Sequence, residues 1–270
     1  MMLKDRIIQH YDEVSPYYRD LWGIHIHHGY WKTGRETKEE AQEQLIRELV
    51  SRAKIENGAR ILDVGCGLGG TAIYLNKVLG ADVLGLTISP AQIEIGNGLI
   101  RESGANVKLI VMDAESLDID GSFDVVWSVE AISHLNKRAD FFRAAARLLN
   151  PGGKLVIADW LRSDKLSAAE ERKYIAPIER AMLVPRLGSP TDYMNDVRST
   201  GLEVRSFEDV STRVSKTWDI SIELAKNTAL WKFAATRGRD FVGFLQGFTA
   251  MKAGYETKAF VYGMLVAQKI

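Results

Sequence analysis

The stretch 60–71, R-I-L-D-V-G-C-G-L-G-G-T, limits the folds open to this chain more than any other. A short apolar run (Ile61, Leu62, Val64) enters a loop with glycine at Gly65, Gly67, Gly69 and Gly70, and a helix-like run over 71–79 follows. Glycine accepts positive φ and has no Cβ, so backbone in such a loop can approach a ligand closely while the next helix offers its free N–H groups. The pattern predicts a strand, a nucleotide-sized turn and a helix.

The alternation then repeats. Residues 82–88 (D-V-L-G-L-T-I) read as a second buried strand, and Ser89-Pro90 opens a helix with proline at its first position, closed by Gly104. A third strand is expected over 107–112, ending at Asp113-Ala114-Glu115, and a fourth over 123–129, ending at Glu130. A helix over 139–149 stops at Asn150-Pro151-Gly152-Gly153, and 154–159 makes a fifth strand. Strands that alternate with helices pair in parallel and are covered on both faces. Ligands in such α/β sheets bind beyond the carboxyl ends of the strands, where the strand order reverses. Asp63, Thr87, Asp113, Glu130 and Asp159, which end the strands, are therefore expected on one rim.

The flanks differ. Residues 1–31 hold four of the five histidines (His10, His25, His27, His28), among Tyr11, Tyr17, Tyr18, Trp22, Tyr30 and Trp31. In an extended segment His25 and His27 point one way and His28 the other, and no CxxC or HExxH partner accompanies them. A ligand cover or a packing role is favoured over a metal site. Thr37 with Glu40 forms a capping-box pattern ahead of Ala41, Leu45, Leu49 and Ala53 at helical spacing. Downstream, 161–198 looks helical between Pro177, Pro185 and Pro190. Residues 217–254 carry Trp218, Trp231, Phe233, Phe241, Phe244 and Phe248 between strand candidates 202–210 and 258–268. Aromatics at helical spacing serve a core as readily as a pocket, but their excess beside the rim favours cap helices around an apolar acceptor. The chain divides into an N-terminal lid with helices (1–57), a cofactor-binding core (58–160) and the remaining strands with inserted cap (161–270), one domain overall.

With 270 residues, 46% of them hydrophobic, the chain can bury one substantial core. Its 35 basic and 35 acidic residues cancel without clustering, which argues against a nucleic-acid partner and for a small-molecule one. Cys66 is the single cysteine, so no intramolecular disulfide is possible, and the N-terminus lacks the layout of a signal peptide. Apolar runs fall short of the ~20 residues that cross a bilayer. A soluble cytoplasmic protein is expected.

A dinucleotide site would place an acid at the end of the second strand to hold ribose hydroxyls, where this chain has Thr87-Ile88-Ser89. The acid ending the third strand and the N-P-G-G-K-L turn resemble instead the class I S-adenosylmethionine-dependent methyltransferases. The similarity narrows with I-H-I-H-H-G-Y-W (24–31), L-D-V-G-C-G-L-G-G, L-T-I-S-P-A-Q (86–92) and W-S-V-E-A (127–131), which resemble the tocopherol and sterol methyltransferase group of small-molecule, natural-product enzymes. E-A-I-S-H-L (130–135) is similar to the stretch of phosphoethanolamine methyltransferases whose histidine serves the reaction. The resemblance covers nearly the whole chain. It implies a Rossmann-like, doubly wound sheet of seven strands, the last antiparallel, with a helical cap and an N-terminal helical lid.

Carried over residue by residue, the resemblance puts Gly65 and Gly67 under the methionine part of S-adenosylmethionine, with Asp63 orienting the loop. Thr87, Ile88 and Gln92 fall where the ribose is held, Asp113 and Ala114 at the adenine edge, and Val129 beneath the cofactor. Turn capping is the less favoured alternative for Asp63 and Asp113. Tyr11, Tyr18, His28, Gly29 and Tyr30 match the N-terminal cover, with Tyr11, His28 and Gly29 expected at the cofactor. Trp160, Met182, Trp218, Trp231 and Phe248 are the acceptor-pocket candidates. Glu130 could pair with an acceptor amine or hold the cofactor's ammonium. His134 is the expected general base, with Tyr18 as a relay; the alternative is a histidine that caps the turn or hydrogen-bonds Tyr18. The implied function is methyl transfer to oxygen, nitrogen or carbon of a small, largely apolar acceptor. A same-fold cyclisation or rearrangement and a noncatalytic cofactor-binding protein stay open, as do the acceptor's identity and the oligomeric state.

Overall fold

The structure, a computed structural model, describes residues 2–237 and 239–270. Seven strands, β1 (Arg60–Val64), β2 (Asp82–Thr87), β3 (Val107–Val111), β4 (Phe123–Val129), β5 (Leu149–Arg162), β6 (Glu203–Asp209) and β7 (Phe260–Gln268), form one sheet in the order β3-β2-β1-β4-β5-β7-β6. The first five pair in parallel, and β7 runs antiparallel to both of its neighbours. The order reverses between β1 and β4. Period-two alternation splits the core: Ile61, Val125, Trp127 and Val156 pack on one face, and Leu62, Val126, Leu155 and Ile157 on the other.

Local sequence accounts for most element ends. Helix α1 (Leu3–Tyr17) runs into a π-helical turn, Tyr18–Trp22, that Gly23 stops at φ 105°. In α2 (Lys38–Ala53) the capping box forms in both directions, Glu40 N–H to Thr37 Oγ1 at 3.1 Å and Thr37 N–H to Glu40 Oε2 at 2.8 Å. Its Ala41, Leu45, Leu49 and Ala53 are buried. Helix α3 (Gly70–Leu79) follows the glycine loop, and α4 (Pro90–Ser103) starts on the Ser89 cap and ends at Gly104, φ 65°. Helix α5 (Arg138–Leu148) buries Phe141 and Phe142 against the second face.

The fifth strand is longer than expected, 149–162 against 154–159, because Leu149 pairs with Phe123 of β4 at its start and the β7 pairing, from Lys154↔Gln268 to Arg162↔Phe260, carries its end past Asp159. That pairing is tertiary and leaves no local mark. The cap is built from short helices over 168–198 and from Lys216–Leu224, Thr228–Arg237 and Arg239–Glu256, which bury Trp218, Phe241 and Met251 on the α2 face. Among the described residues no helix is long and apolar enough to cross a membrane.

Candidate active site

At the switch point between β1 and β4 the strand ends open into a cavity. Asp63, Gly65 and Gly67 enter it from the β1 loop, Thr87, Ile88 and Gln92 from β2 and α4, Asp113 and Ala114 from the end of β3, and Val129 from β4. Tyr11 closes it from α1. Ten of the twelve expected cofactor residues are thus brought together. Gly65 adopts φ 80°, and a Cβ there would overlap the Cβ of Ala131, so glycine is required for the loop to pass the turn after β4. Ile24 and His25 lie across the start of α3, the Ile24 carbonyl 2.5 Å from where a Gly70 Cβ would stand.

The other two, His28 and Gly29, do not line this cavity. The extended backbone turns His25 and His27 into it, their rings 5.3 Å apart, and sends His28 the opposite way. Gly29 is a packing position, since a Cβ there would meet the Ala41 Cβ and the Trp31 ring at 2.7 Å. His25 and His27 thus line the cavity, in keeping with the cover role expected of this segment, and Thr71 joins them unforeseen; the alternation already separated His28 from the other two.

Electrostatics distinguish the two ends of the cavity. Asp63 is buried with Oδ2 unpartnered, and burial pushes its carboxyl up to about 7. Burial likewise lowers His25 to about 3, so that imidazole is neutral, and lowers His27 below its usual range. At the other end Thr87 donates to Gln92 Oε1 at 2.5 Å, and Lys4 of α1 pairs with Asp113 and Glu115, each at 2.6 Å. Asp12 of α1 accepts from Ser89 Oγ at 2.5 Å and from the Ala91 N–H at 3.2 Å, docking α1 on the start of α4. Among the described residues no group of three His, Cys, Asp or Glu side chains is placed to hold a metal.

A second cavity abuts the first under the cap. Trp160, Met182, Trp218 and Phe248 line it, joined by His10, Tyr18, Phe241 and Phe244. Trp231 does not; its Nε1 donates to the Ala225 carbonyl at 2.6 Å, bracing the turn between two cap helices. No lysine or arginine lines this cavity among the described residues.

Tyr11, Glu130 and His134 stand in the wall common to both cavities. Glu130, at φ 53°, is buried and accepts from His28 N–H (2.7 Å), Tyr262 Oη (2.7 Å) and Trp160 Nε1 (3.0 Å), with His28 Nδ1 at 3.0 Å from the same Oε1 as the first two. Protein donors thus already surround the carboxylate, against either expected partner. His134 sits on the turn Ile132–His134, with Nε2 3.3 Å from the Tyr11 hydroxyl. Tyr18, expected at that place, packs instead against Phe244 with centroids 6.3 Å apart, because the π-helical turn after Tyr17 rotates it into the second cavity. Burial lowers His134 to about 4, opposed by the Leu183 backbone and the Glu130 charge. Asp159 is not on the rim. It is buried beneath, accepting from the N–H of Ser133 and Trp160 at 2.8 Å and from the Tyr193 hydroxyl at 2.9 Å, and so fixes the turn that carries His134.

Known proteins share this frame. The chain is 32% identical over 247 residues to a probable chloroplastic tocopherol O-methyltransferase of Oryza sativa subsp. japonica, spanning 85% of this chain and 67% of the other. It is 32% identical over 217 residues to the 27-O-demethylrifamycin SV methyltransferase of Amycolatopsis mediterranei, 79% of each chain. Among solved structures, the [4+2]-cyclase SpnF superposes with TM-score 0.85 at 26% identity over 97% of this chain and 94% of that one. The mycolic acid cyclopropane synthase CmaA1, crystallised with SAH and CTAB, superposes with TM-score 0.82 at 20% identity over 98% of both. The family model of mycolic acid cyclopropane synthetase matches residues 3–247, from the lid through the cap, and with these relatives it places the chain in that family as an S-adenosylmethionine-dependent methyltransferase.

Proposed function

We propose that this methyltransferase acts on an oxygen of a small, uncharged, largely apolar acceptor held in the second cavity, with His134 as general base. The observation that carries the proposal is the place of His134, in the wall that separates the two cavities, neutral down to about pH 4. A neutral imidazole there can take the hydroxyl proton while the new bond forms, and the Glu130 charge favours the resulting imidazolium. Bound S-adenosylmethionine supplies the activated methyl on its sulfonium.

The first cavity fits that cofactor. The unpartnered Asp63 Oδ2 suits an ammonium and Gly65 and Gly67 leave room beside it; Thr87, Ile88 and Gln92 would hold the ribose, Asp113 and Ala114 the adenine edge, and Val129 would support the cofactor from the cavity wall. Tyr11 holds the His134 ring and helps exclude water. Trp160, Met182, Trp218 and Phe248 supply the acceptor's apolar walls, and Tyr18 belongs with them rather than in proton relay. Glu130 acts through His28 and Trp160 as a positioning residue. With no lysine or arginine in its lining among the described residues, the second cavity disfavours anionic acceptors such as diphosphates.

The test is His134→Ala with methyl-labelled cofactor and a panel of phenols and alcohols. Turnover should fall ~10²–10⁴-fold while affinity for the demethylated cofactor stays near wild type. A variant with near-normal kcat would refute the base. The likeness to a [4+2]-cyclase makes product mass decisive as well, since transfer adds one methyl group to the acceptor and cyclisation adds none.

A further inference from the structure

The lid helix contributes an imidazole to the second cavity that none of the steps above uses. His10 lies on the α1 face that also presents Tyr11 and Val14 to that cavity. Its ring packs among aromatics, 4.8 Å from Phe244, 5.5 Å from Tyr11 and 6.0 Å from Phe241 between centroids. Among the described residues neither ring nitrogen has a hydrogen-bond partner.

Several other polar groups nearby are committed, although Trp218 Nε1 and His134 Nδ1 in the same lining have no partner among the described residues. Ser221 donates to the Thr217 carbonyl at 2.9 Å, Thr217 Oγ1 accepts the Gly29 N–H at 3.2 Å, and Trp160 Nε1 is held by Glu130. The imidazole is half-buried and open to the cavity, so an acceptor that covers it must replace the hydrogen bonds of solvent or lose free energy. Phenylalanine would pack as well against Phe241 and Phe244. Burial and the nearby His134 lower His10 to about 4 against the opposing charge of Asp240, so it is neutral and can donate from one nitrogen and accept at the other.

From these contacts we infer that His10 is a specificity residue that hydrogen-bonds a second oxygen of the acceptor, on the side of its ring away from the reacting hydroxyl. The Tyr11 ring separates His10 from His134, its centroid 5.5 Å from the first and 6.0 Å from the second. Two imidazoles one ring apart suit an uncharged, ring-bearing acceptor with oxygens at opposite edges, of the hydroquinone or hydroxyketone type. The inference rests on the oxygen-acceptor reading above.

The experiment compares trimethylhydroquinone with trimethylphenol, measuring binding to protein saturated with S-adenosylhomocysteine and then turnover. Wild type should bind the diol about three- to tenfold more tightly, the worth of one neutral hydrogen bond, and His10→Phe should bind both alike. His10→Gln, which keeps a donor and an acceptor, should restore part of the preference. The KM for the diol should follow the binding, with kcat little changed. Wild type without preference, or His10→Phe that weakens both probes equally, overturns the assignment. If the preference depends on His10 while the methyl appears on ring carbon, the specificity role stands and the oxygen reading alone fails.

Discussion

Glu130→Gln tests whether the buried carboxylate is the knot that joins the N-terminal segment to the sheet. Its Oε1 gathers the His28 N–H, His28 Nδ1 and the Tyr262 hydroxyl, and Oε2 takes the Trp160 indole, tying 24–31 to β4, β5 and β7. A glutamine can keep its oxygen on the first set, but its amide nitrogen then faces the Trp160 N–H, donor to donor. Hydrogen bonds to a charged acceptor are worth about 1.5–3 kcal/mol against about 1 for neutral ones, and an orphaned buried donor costs about 1–3 kcal/mol. Together these give a loss of about 4 kcal/mol, within the range for breaking a buried charged network.

For a chain of this length that loss lowers Tm by roughly 8–16 °C, measurable by calorimetry or circular dichroism at neutral pH. Tyr262→Phe, which removes one donor, should cost about a third as much. The Glu130 carboxyl is held below its ordinary 4.5: burial alone would raise it, but the His28 contacts lower it more. Its contribution is therefore complete above that value and is lost as pH falls through the folded pKa, and Glu130→Gln should lack this acid-side decline. A Glu130→Gln protein that melts within about 2 °C of wild type and keeps the acid response would refute the four-donor account.

Asp63→Asn removes an acid that burial raises to about 7. A raised carboxyl stabilises the free protein at low pH and loses that contribution as pH rises through about 7, so the variant's stability should change less between pH 5 and 8. Its affinity for the demethylated cofactor, by titration calorimetry, should fall about 10–100-fold if Asp63 meets the ammonium. Trp218→Ala should raise the acceptor's KM more than the cofactor's, whereas Trp231→Ala, outside the cavity, should leave both nearly unchanged. Lys4→Ala releases the lid from Asp113 and Glu115, and hydrogen exchange across Leu3–Tyr17 should quicken about threefold with little change in Tm, since Lys4 is a third exposed and ion pairs open to solvent contribute little.

Periodicity and turn chemistry are local, and they placed most of this molecule. Glycines 65–70, Pro90, Gly104 and the Thr37–Glu40 box mark element ends that depend only on φ, capping and hydrogen bonds within a few residues. Because strands ending at Asp63, Thr87, Asp113 and Glu130 must share a rim once they pair in parallel, most of the first cavity's lining was legible too. Rotation and pairing between distant segments were not. Whether Tyr11 or Tyr18 meets His134 depends on the turn the helix makes past Pro16, and whether Trp231 or Phe241 faces the acceptor depends on how three cap helices lean together. Asp159 ends on protein donors, and Glu130 on four of them, because β5, β7 and the 24–31 segment arrive there from far along the chain. A side chain's type is written in the sequence, but the partner that uses up its charge is settled only when the remote backbone closes around it.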